Sequence, residues 1–214
     1  MKKYNSLNDF VQKNAFNQYE PSIIHNYVKE MPCYTKWDDR YLSEIFDGEK
    51  IRCESYALSN DIKKATNKHI SFKSFRKKMT KHKMYMAQIE ILKEYPTLAN
   101  DVLIPTYIKK LPQVCLYYGP ESVGTKLHYD YGDNIYCNIQ GIKEFILIEP
   151  KNNLIKSDNE SDWANFAIDS IDSVITKKTE IKLYDGDSLF IPKGWWHQTK
   201  NITKSLGFSI MYNQ

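Results

Sequence analysis

The stretch KLHYDYGDNIYCNIQGIKEFILIEP, residues 126–150, decides the fold. It holds two apolar runs rich in β-branched and aromatic residues, NIYCNIQ and KEFILIE, joined by the turn signal QGIK. Such runs, punctuated by Gly and Asn, predict a pair of adjacent strands. Three residues do not belong in a sheet core. His128 and Asp130 stand two apart ahead of the first run, and Lys143 opens the second. In an extended segment residues i and i+2 point to the same face, roughly 6–7 Å apart along the chain. His128 and Asp130 can therefore converge on one metal ion. On KEFILIE, Lys143, Phe145 and Leu147 share one face, and Glu144, Ile146 and Ile148 the other. A lysine on an inward-turned apolar face is costly unless it is paired.

Outward from this stretch the second half keeps the same character. QVCLYYG, TKLHYD, EIKLYDG, DSLFIP and SLGFSIMY read as further short strands between turns such as YGPES, YDGD and IPKG. Many short strands with turn signals predict a sandwich or barrel. ESDWANFAIDSIDSVI, residues 160–175, is the one helical insertion expected among them. The first half is helix-like with interruptions. Ser6, Asp38 and Ser71 are candidate N-caps for LNDFVQKN, DRYLSEIF and FKSFRKKM. PSIIHNYV reads as a short buried strand, and MYMAQIEILKEYPTLAND begins extended. The expectation is one domain over 1–214: a helical part with short strands over 1–112, packed on a β core over 113–214.

The chain has 214 residues, 42% hydrophobic and 26% charged, enough for one substantial core. No run approaches the roughly 18 apolar residues of a membrane helix, and MKKYNSLNDFVQKNAF has no apolar stretch behind its lysines. An intracellular protein, cytoplasmic or nuclear, is expected. Cys33, Cys53, Cys115 and Cys137 form no CxxC pair and read as small buried hydrophobes. The net charge of +4 is modest, but residues 62–83 carry nine Lys or Arg and no acid. A solvated face is one reading of that segment. A docking surface for RNA or an acidic partner is the other.

His128 and Asp130 need a third ligand. His25 sits in an apolar run, and His69 and His82 lie in the basic segment. His197 follows DGDSLFIPKGWW, which places an imidazole at a strand end inside an aromatic wall. Two His and one carboxylate with open positions suit non-haem Fe(II). The alternative on spacing alone is a pair of hydrogen-bonded core histidines. No acid on a neighbouring strand is an evident partner for Lys143. The far carboxylate of a metal-chelating diacid, 2-oxoglutarate, would supply one. The alternative is an edge lysine whose amine reaches water.

The combined pattern T-x-x-H-x-D-x-x-x-N, G-x-K and I-P-x-x-W-W-H, carried by Thr125, His128, Asp130, Asn134, Gly141, Lys143, Ile191, Pro192, Trp195, Trp196 and His197, resembles the Jumonji-C hydroxylases of the cupin-like class. These include the factor-inhibiting-HIF asparaginyl hydroxylase and the small JmjC-only hydroxylases. YMAQIEILKEYPTLANDVLIPTYI is similar to that family's Tyr-Leu-Ala-Gln segment, so the resemblance spans nearly the whole chain. It implies a mainly β fold with flanking helices, the double-stranded β-helix or jelly roll. It also implies that His128, Asp130 and His197 hold Fe(II), and that Lys143, Thr125 and Tyr85 bind 2-oxoglutarate with Asn134 lining the pocket beside the metal. Tyr117, Tyr129, Tyr131 and Trp196 are candidate pocket walls.

The activity implied is that of a 2-oxoglutarate-dependent dioxygenase hydroxylating a C–H of a protein side chain, with release of succinate and CO2. A tRNA or nucleic-acid base hydroxylase is the alternative, with a histone lysine demethylase behind it. The last strand departs from the family, with Ser209 and Met211 where Asn and Trp are usual. The chain stops after that strand, so the helical region that dimerises some relatives is missing and a monomer is expected.

Overall fold

The computed structural model of the chain describes residues 1–55, 66–150 and 178–213. The expected helical insertion at 160–175, Lys63 and Lys64 lie outside them. The described strands are β1 (Lys2–Tyr4), β2 (Ser22–Ile24), β3 (Lys50–Ser55), β4 (Thr66–Ser71), β5 (Met84–Glu90), β6 (Gln113–Gly119), β7 (Asp133–Gln140), β8 (Lys143–Ile148), β9 (Lys178–Leu183), β10 (Ser188–Ile191), β11 (Trp196–Asn201) and β12 (Ser205–Tyr212). Nine of them form one sheet in the order β1-β2-β10-β7-β12-β6-β5-β3-β4, and β11-β8-β9 form a second. The two sheets share a small core of Ile23, Tyr136, Phe145, Leu147, Ile181, Leu183, Leu189 and Ile191. This is the jelly roll the sequence predicts.

Period-two alternation explains why the central strands read as almost unbroken apolar runs. On β7, Ile135, Cys137 and Ile139 enter the large core beneath the helices, while Tyr136 turns toward the second sheet. On β12, Leu206, Phe208, Ile210 and Tyr212 enter the large core, which leaves Gly207, Ser209 and Met211 on the opposite face. Both faces of these strands are covered, so neither can be polar throughout.

The helices close the outer face. They are α1 (Leu7–Gln12), α2 (Pro32–Lys36), α3 (Asp39–Ile45), α4 (Phe72–Lys78), α5 (Ile91–Glu94) and α6 (Pro96–Ala99). The three expected caps are in place: Ser6, Asp38 and Ser71 accept from the backbone N–H of Asp9, Tyr41 and Ser74. Phe72, Phe75 and Met79 line the buried face of α4. Helices this short are stabilised by packing rather than by propensity. All four cysteines are free and buried.

Several sequence expectations need correction. TKLHYD does not form a continuous strand: its one ladder bridge joins His128 and His197, and further backbone bonds run from the Thr199 N–H to the Thr125 carbonyl and from the Gly194 N–H to the Asp130 carbonyl. The hairpin β3–β4 and the strand β11 were not anticipated, because KIRCES, TNKHIS and WHQTKN carry too many polar residues to stand out. The strands of the first 112 residues also join the main sheet, since β5 pairs with β6 and β2 with β10. His25, in its apolar run, is half-buried with Nδ1 3.1 Å from Asp187 Oδ1.

Asp101 ties α2 and α3 to the segment that follows α6. Its buried carboxylate accepts from Lys36 Nζ at 2.6 Å, Trp37 Nε1 at 3.0 Å and the Tyr41 hydroxyl at 2.8 Å. Burial alone would raise its pKa, but these three donors outweigh burial and hold it below the usual carboxylate range. Asp101→Ala strands the Trp37 and Tyr41 donors and is expected to destabilise the fold by about 2–4 kcal/mol, read as a lower urea midpoint. The wild-type contribution is present above the unfolded aspartate pKa near 3.8 and fades as pH falls through the lowered folded value.

Candidate active site

A bridge between His128 and His197 stands where the sequence predicts a strand. The His128 N–H donates to the His197 carbonyl at 3.0 Å, and the His197 N–H donates to the His128 carbonyl at 2.7 Å. This reciprocal pair fixes the two imidazoles side by side, ring centroids 4.2 Å apart. Asp130 is pinned by Gly194, whose N–H donates to its carbonyl at 2.9 Å. The ligating atoms of His128, Asp130 and His197 all lie within 4.8 Å of one another. His197 is the second residue of β11, not the end of the preceding strand.

The tautomers follow from the backbone. His128 Nδ1 lies 2.7 Å from the Lys126 carbonyl, and His197 Nδ1 lies 3.0 Å from the Trp195 carbonyl. A carbonyl only accepts, so each Nδ1 carries the hydrogen and each Nε2 keeps its lone pair for the centre. Burial first, and the adjacent His197 second, push His128 well below the usual imidazole range. Its ring is neutral, which is the form that binds a metal. Two imidazole nitrogens and one carboxylate oxygen converging in this way are a donor set that Fe(II) fits. Asn134 Nδ2 donates to Asp130 Oδ2 at 3.0 Å and orients the carboxylate, while its own Oδ1 is buried without a partner. Asn134→Ala is expected to weaken Mn(II) binding roughly tenfold, measured by titration followed in the Mn(II) EPR signal.

Lys143 lies at the far end of the same face. In the β8–β11 ladder His197 stands opposite Leu147, Thr199 opposite Phe145 and Asn201 opposite Lys143. Directly opposed residues share a face. One strip therefore runs from the candidate ligand His197 past Thr199 and Phe145 to Lys143. The lysine is 2% exposed and donates to the Tyr85 hydroxyl at 2.9 Å and to Asn201 Oδ1 at 3.0 Å. Among the described residues no carboxylate acts on it, and burial pulls its pKa down to about 7.

The strip floors a cavity of about 90 Å³ lined by the triad and by Tyr85, Thr125, Asn134 and Lys143, so all seven sequence-predicted site residues meet in one place. Thr125 shares a 2.8 Å hydroxyl contact with Thr199 halfway along it. Of the expected walls only Tyr117 lines the cavity. Tyr129, Tyr131 and Trp196 pack on one another beside it, because the alternation that turns His128 and Asp130 inward turns the intervening tyrosines outward. Ser209 and Met211 also face the cavity. Sequence reasoning missed Tyr136, Thr199, Asn201 and Gln88. The last is exposed and lines the cavity from a bulge: β5 shifts register between Met86 and Ile89, Gln88 has φ 57°, and its amide oxygen accepts from Arg52 at 2.6 Å.

A jelly roll with two His, one Asp and a buried lysine around one cavity is an architecture of the cupin type. The chain belongs to the cupin-like domain family, whose model matches residues 8–214. It is 29% identical over 244 residues to JmjC domain-containing protein D of Dictyostelium discoideum, covering 96% of this chain and 53% of that protein. It is 27% identical over 232 residues to Jumonji C domain-containing protein 5 of Drosophila melanogaster, covering 97% and 58%. It is 26% identical over 234 residues to tRNA wybutosine-synthesizing protein 5 of Gallus gallus, covering 92% and 71%. The chain thus spans little more than half the length of the first two. No helix among the described residues is long and apolar enough to cross a membrane.

Proposed function

We propose that the chain is an Fe(II)- and 2-oxoglutarate-dependent dioxygenase that hydroxylates a C–H of a protein side chain, releasing succinate and CO2. The observation that carries the reading is the strip: a two-His, one-Asp centre at one end and, at the other, a buried lysine with no carboxylate among the described residues. Lys143 lies four residues along β8 from the partner of His197, roughly 13 Å of strand. A lysine side chain and a five-carbon diacid laid end to end bridge that interval. Bound Fe(II) would supply the redox chemistry that couples decarboxylation of 2-oxoglutarate to hydroxylation.

The chain's own residues have separate tasks. His128, Asp130 and His197 would hold the metal, with Asn134 keeping the carboxylate aligned. Lys143 would neutralise the distal carboxylate of the diacid, with Tyr85 and Thr125 beside it. Tyr85, Tyr117, Tyr136 and Phe145 present rigid walls that keep water from the reacting atoms. Succinate formation by the purified protein with Fe(II), ascorbate and 2-oxoglutarate, compared with His128→Ala, tests the chemistry. If there is no succinate above the variant's background, and no 2-oxoglutarate binding in the presence of Mn(II), the oxygenase reading fails.

A second reading, an RNA substrate, has its own support. Lys68 and His69 on β4 pair with Cys53 and Arg52 on β3, and Arg52 holds the cavity residue Gln88. The basic segment thus comes within two strands of the cavity. One relative is named for tRNA wybutosine synthesis. RNA binding that falls steeply with salt, and falls further in Lys73→Glu/Lys77→Glu, would favour this substrate class over a protein.

A further inference from the structure

Met211 brings a sulfur atom to the metal end of the cavity. Among the described residues that line the cavity, the three candidate ligands included, it is the one that carries sulfur. On β12 it stands opposite Asn134 of β7, while Ser209 stands opposite Tyr136. Directly opposed residues share a face, with Cβ atoms roughly 4.5–5.5 Å apart. Asn134 Nδ2 donates in turn to Asp130 Oδ2 at 3.0 Å. One side chain, Asn134, therefore separates Met211 from a candidate ligand. Met211 is half-buried, and its thioether is carried on a flexible, unbranched chain that can swing across such an interval. Gly207 and Ser209 precede it on the same face and offer no oxidisable group of their own.

The other methionines are placed differently. Met31, Met79, Met84 and Met86 are buried in the large core, and Met1 is 54% exposed at the start of the chain. Tyr85 and Tyr136 line the same cavity, but Lys143 Nζ lies 5.1 and 5.2 Å from their ring centres, which puts them at the lysine end. The chemistry also favours sulfur. A thioether takes an oxygen atom on a lone pair and breaks no bond in doing so, whereas hydroxylating a ring or an aliphatic carbon breaks a C–H bond.

We propose that Met211 is a self-oxidation site: when no substrate occupies the cavity mouth, its sulfur takes the oxygen atom otherwise delivered to the substrate C–H and becomes a sulfoxide. The inference rests on the dioxygenase reading above. The reaction balances with the two co-substrates alone. The C1–C2 bond of 2-oxoglutarate breaks and CO2 leaves. One atom of O2 enters succinate, and the other forms the S–O bond. The electrons that reduce O2 come in equal shares from 2-oxoglutarate and from the Met211 sulfur, and no proton or outside reductant is consumed. The product replaces an apolar thioether by a polar group, so the oxidised chain presents a different wall to a substrate until a sulfoxide reductase restores it.

The test is peptide mapping by mass spectrometry after incubation of the full chain with Fe(II), 2-oxoglutarate and 18O2, with catalase present to remove peroxide. Trypsin cuts after Lys204 and releases SLGFSIMYNQ, whose one methionine is Met211. This peptide is expected to gain one 18O atom, assigned to Met211 by fragmentation and removed by methionine sulfoxide reductases. Omitting 2-oxoglutarate, or using His128→Ala, is expected to lower the label at least about tenfold, and Met1 is expected to stay at background. Succinate without label at Met211 overturns the self-oxidation site and leaves the dioxygenase reading standing. Label on Phe208 or Tyr212 instead overturns it too. So does equal label on Met1, or label that forms without 2-oxoglutarate, since the oxidant would then be diffusing in solution. No succinate above the variant's background removes the self-oxidation site, and failure to bind 2-oxoglutarate with Mn(II) then removes the dioxygenase reading as well.

Discussion

Asp130→Ala is expected to abolish succinate formation and to weaken Mn(II) binding by more than about a hundredfold. Loss of an outer partner of a metal ligand typically costs up to about that much, and Asp130 would be a ligand itself. It is the one oxygen donor of the triad and its one negative charge. Two neutral imidazoles would remain, and His197 Nε2 would lose a carboxylate oxygen 3.7 Å away. The fold is expected to survive, because the backbone contact from Gly194 and the His128–His197 bridge do not involve the Asp130 side chain. Asn134 would lose its Nδ2 acceptor while its Oδ1 is already without a partner. That adds a destabilisation of about 1–3 kcal/mol, visible as a lower melting temperature. Asp130→Asn separates charge from shape: it keeps an acceptor for Asn134 and should melt near wild type, yet still fail to hold the metal. Wild-type Mn(II) affinity in either variant would remove Asp130 from the site.

The parts of this site that could be read in the sequence are those where alternation acts within one strand. His128 and Asp130 are two apart, and Lys143 breaks the inward face of KEFILI, so each announces itself locally. The same rule, pursued one step further, would have excluded Tyr129 and Tyr131 from the cavity. It would also have found Thr199 and Asn201, which follow His197 at two and four residues on β11. The obstacle was that WHQTKN does not look like a strand, and its polar residues make sense only once the cavity they face is known. Tyr136 could not be singled out at all. In NIYCNIQ it is indistinguishable from a core aromatic, and only the missing partner of its hydroxyl sets it apart. Gln88 was hidden by a bulge, where the period-two rule fails. The caps of α1, α3 and α4 were legible because capping is local chemistry. The joining of β2 to β10 and of β5 to β6 was not, since pairing between distant segments leaves no mark in either one alone.

Lys143→Met should make the apo protein more stable at pH 6 and less stable near pH 10.5, while weakening 2-oxoglutarate binding about a thousandfold at pH 6. The sign change follows from where the proton goes. Burial disfavours the ammonium, so Lys143 titrates at about 7 in the folded chain against 10.5 when exposed. Below pH 7 the amine is charged in both states, and folding bears the full cost of burying it. At about 1.4 kcal/mol per unit, that cost is on the order of 5 kcal/mol. Between pH 7 and 10.5 the unfolded chain holds more protons than the folded one, so stability rises with pH. Above 10.5 both states carry a neutral amine and the cost is gone. Methionine removes the cost at every pH but leaves the Tyr85 hydroxyl and Asn201 Oδ1 without their donor, a loss of about 1–3 kcal/mol. The balance therefore favours methionine at pH 6 and lysine near pH 10.5, and urea melts of the two proteins at both pH values read it directly. Titrations elsewhere in the chain cancel in the difference. The diacid should reverse the preference. Its distal carboxylate restores the ammonium, so binding above pH 7 takes up a proton, and wild-type affinity falls by up to about tenfold per pH unit. The Met variant lacks that slope and binds about a thousandfold more weakly, consistent with the cost of leaving one member of a buried ion pair alone. A variant that keeps wild-type affinity, or a wild type whose affinity shows no slope, would mean that Lys143 is a structural lysine and that the carboxylate is held elsewhere.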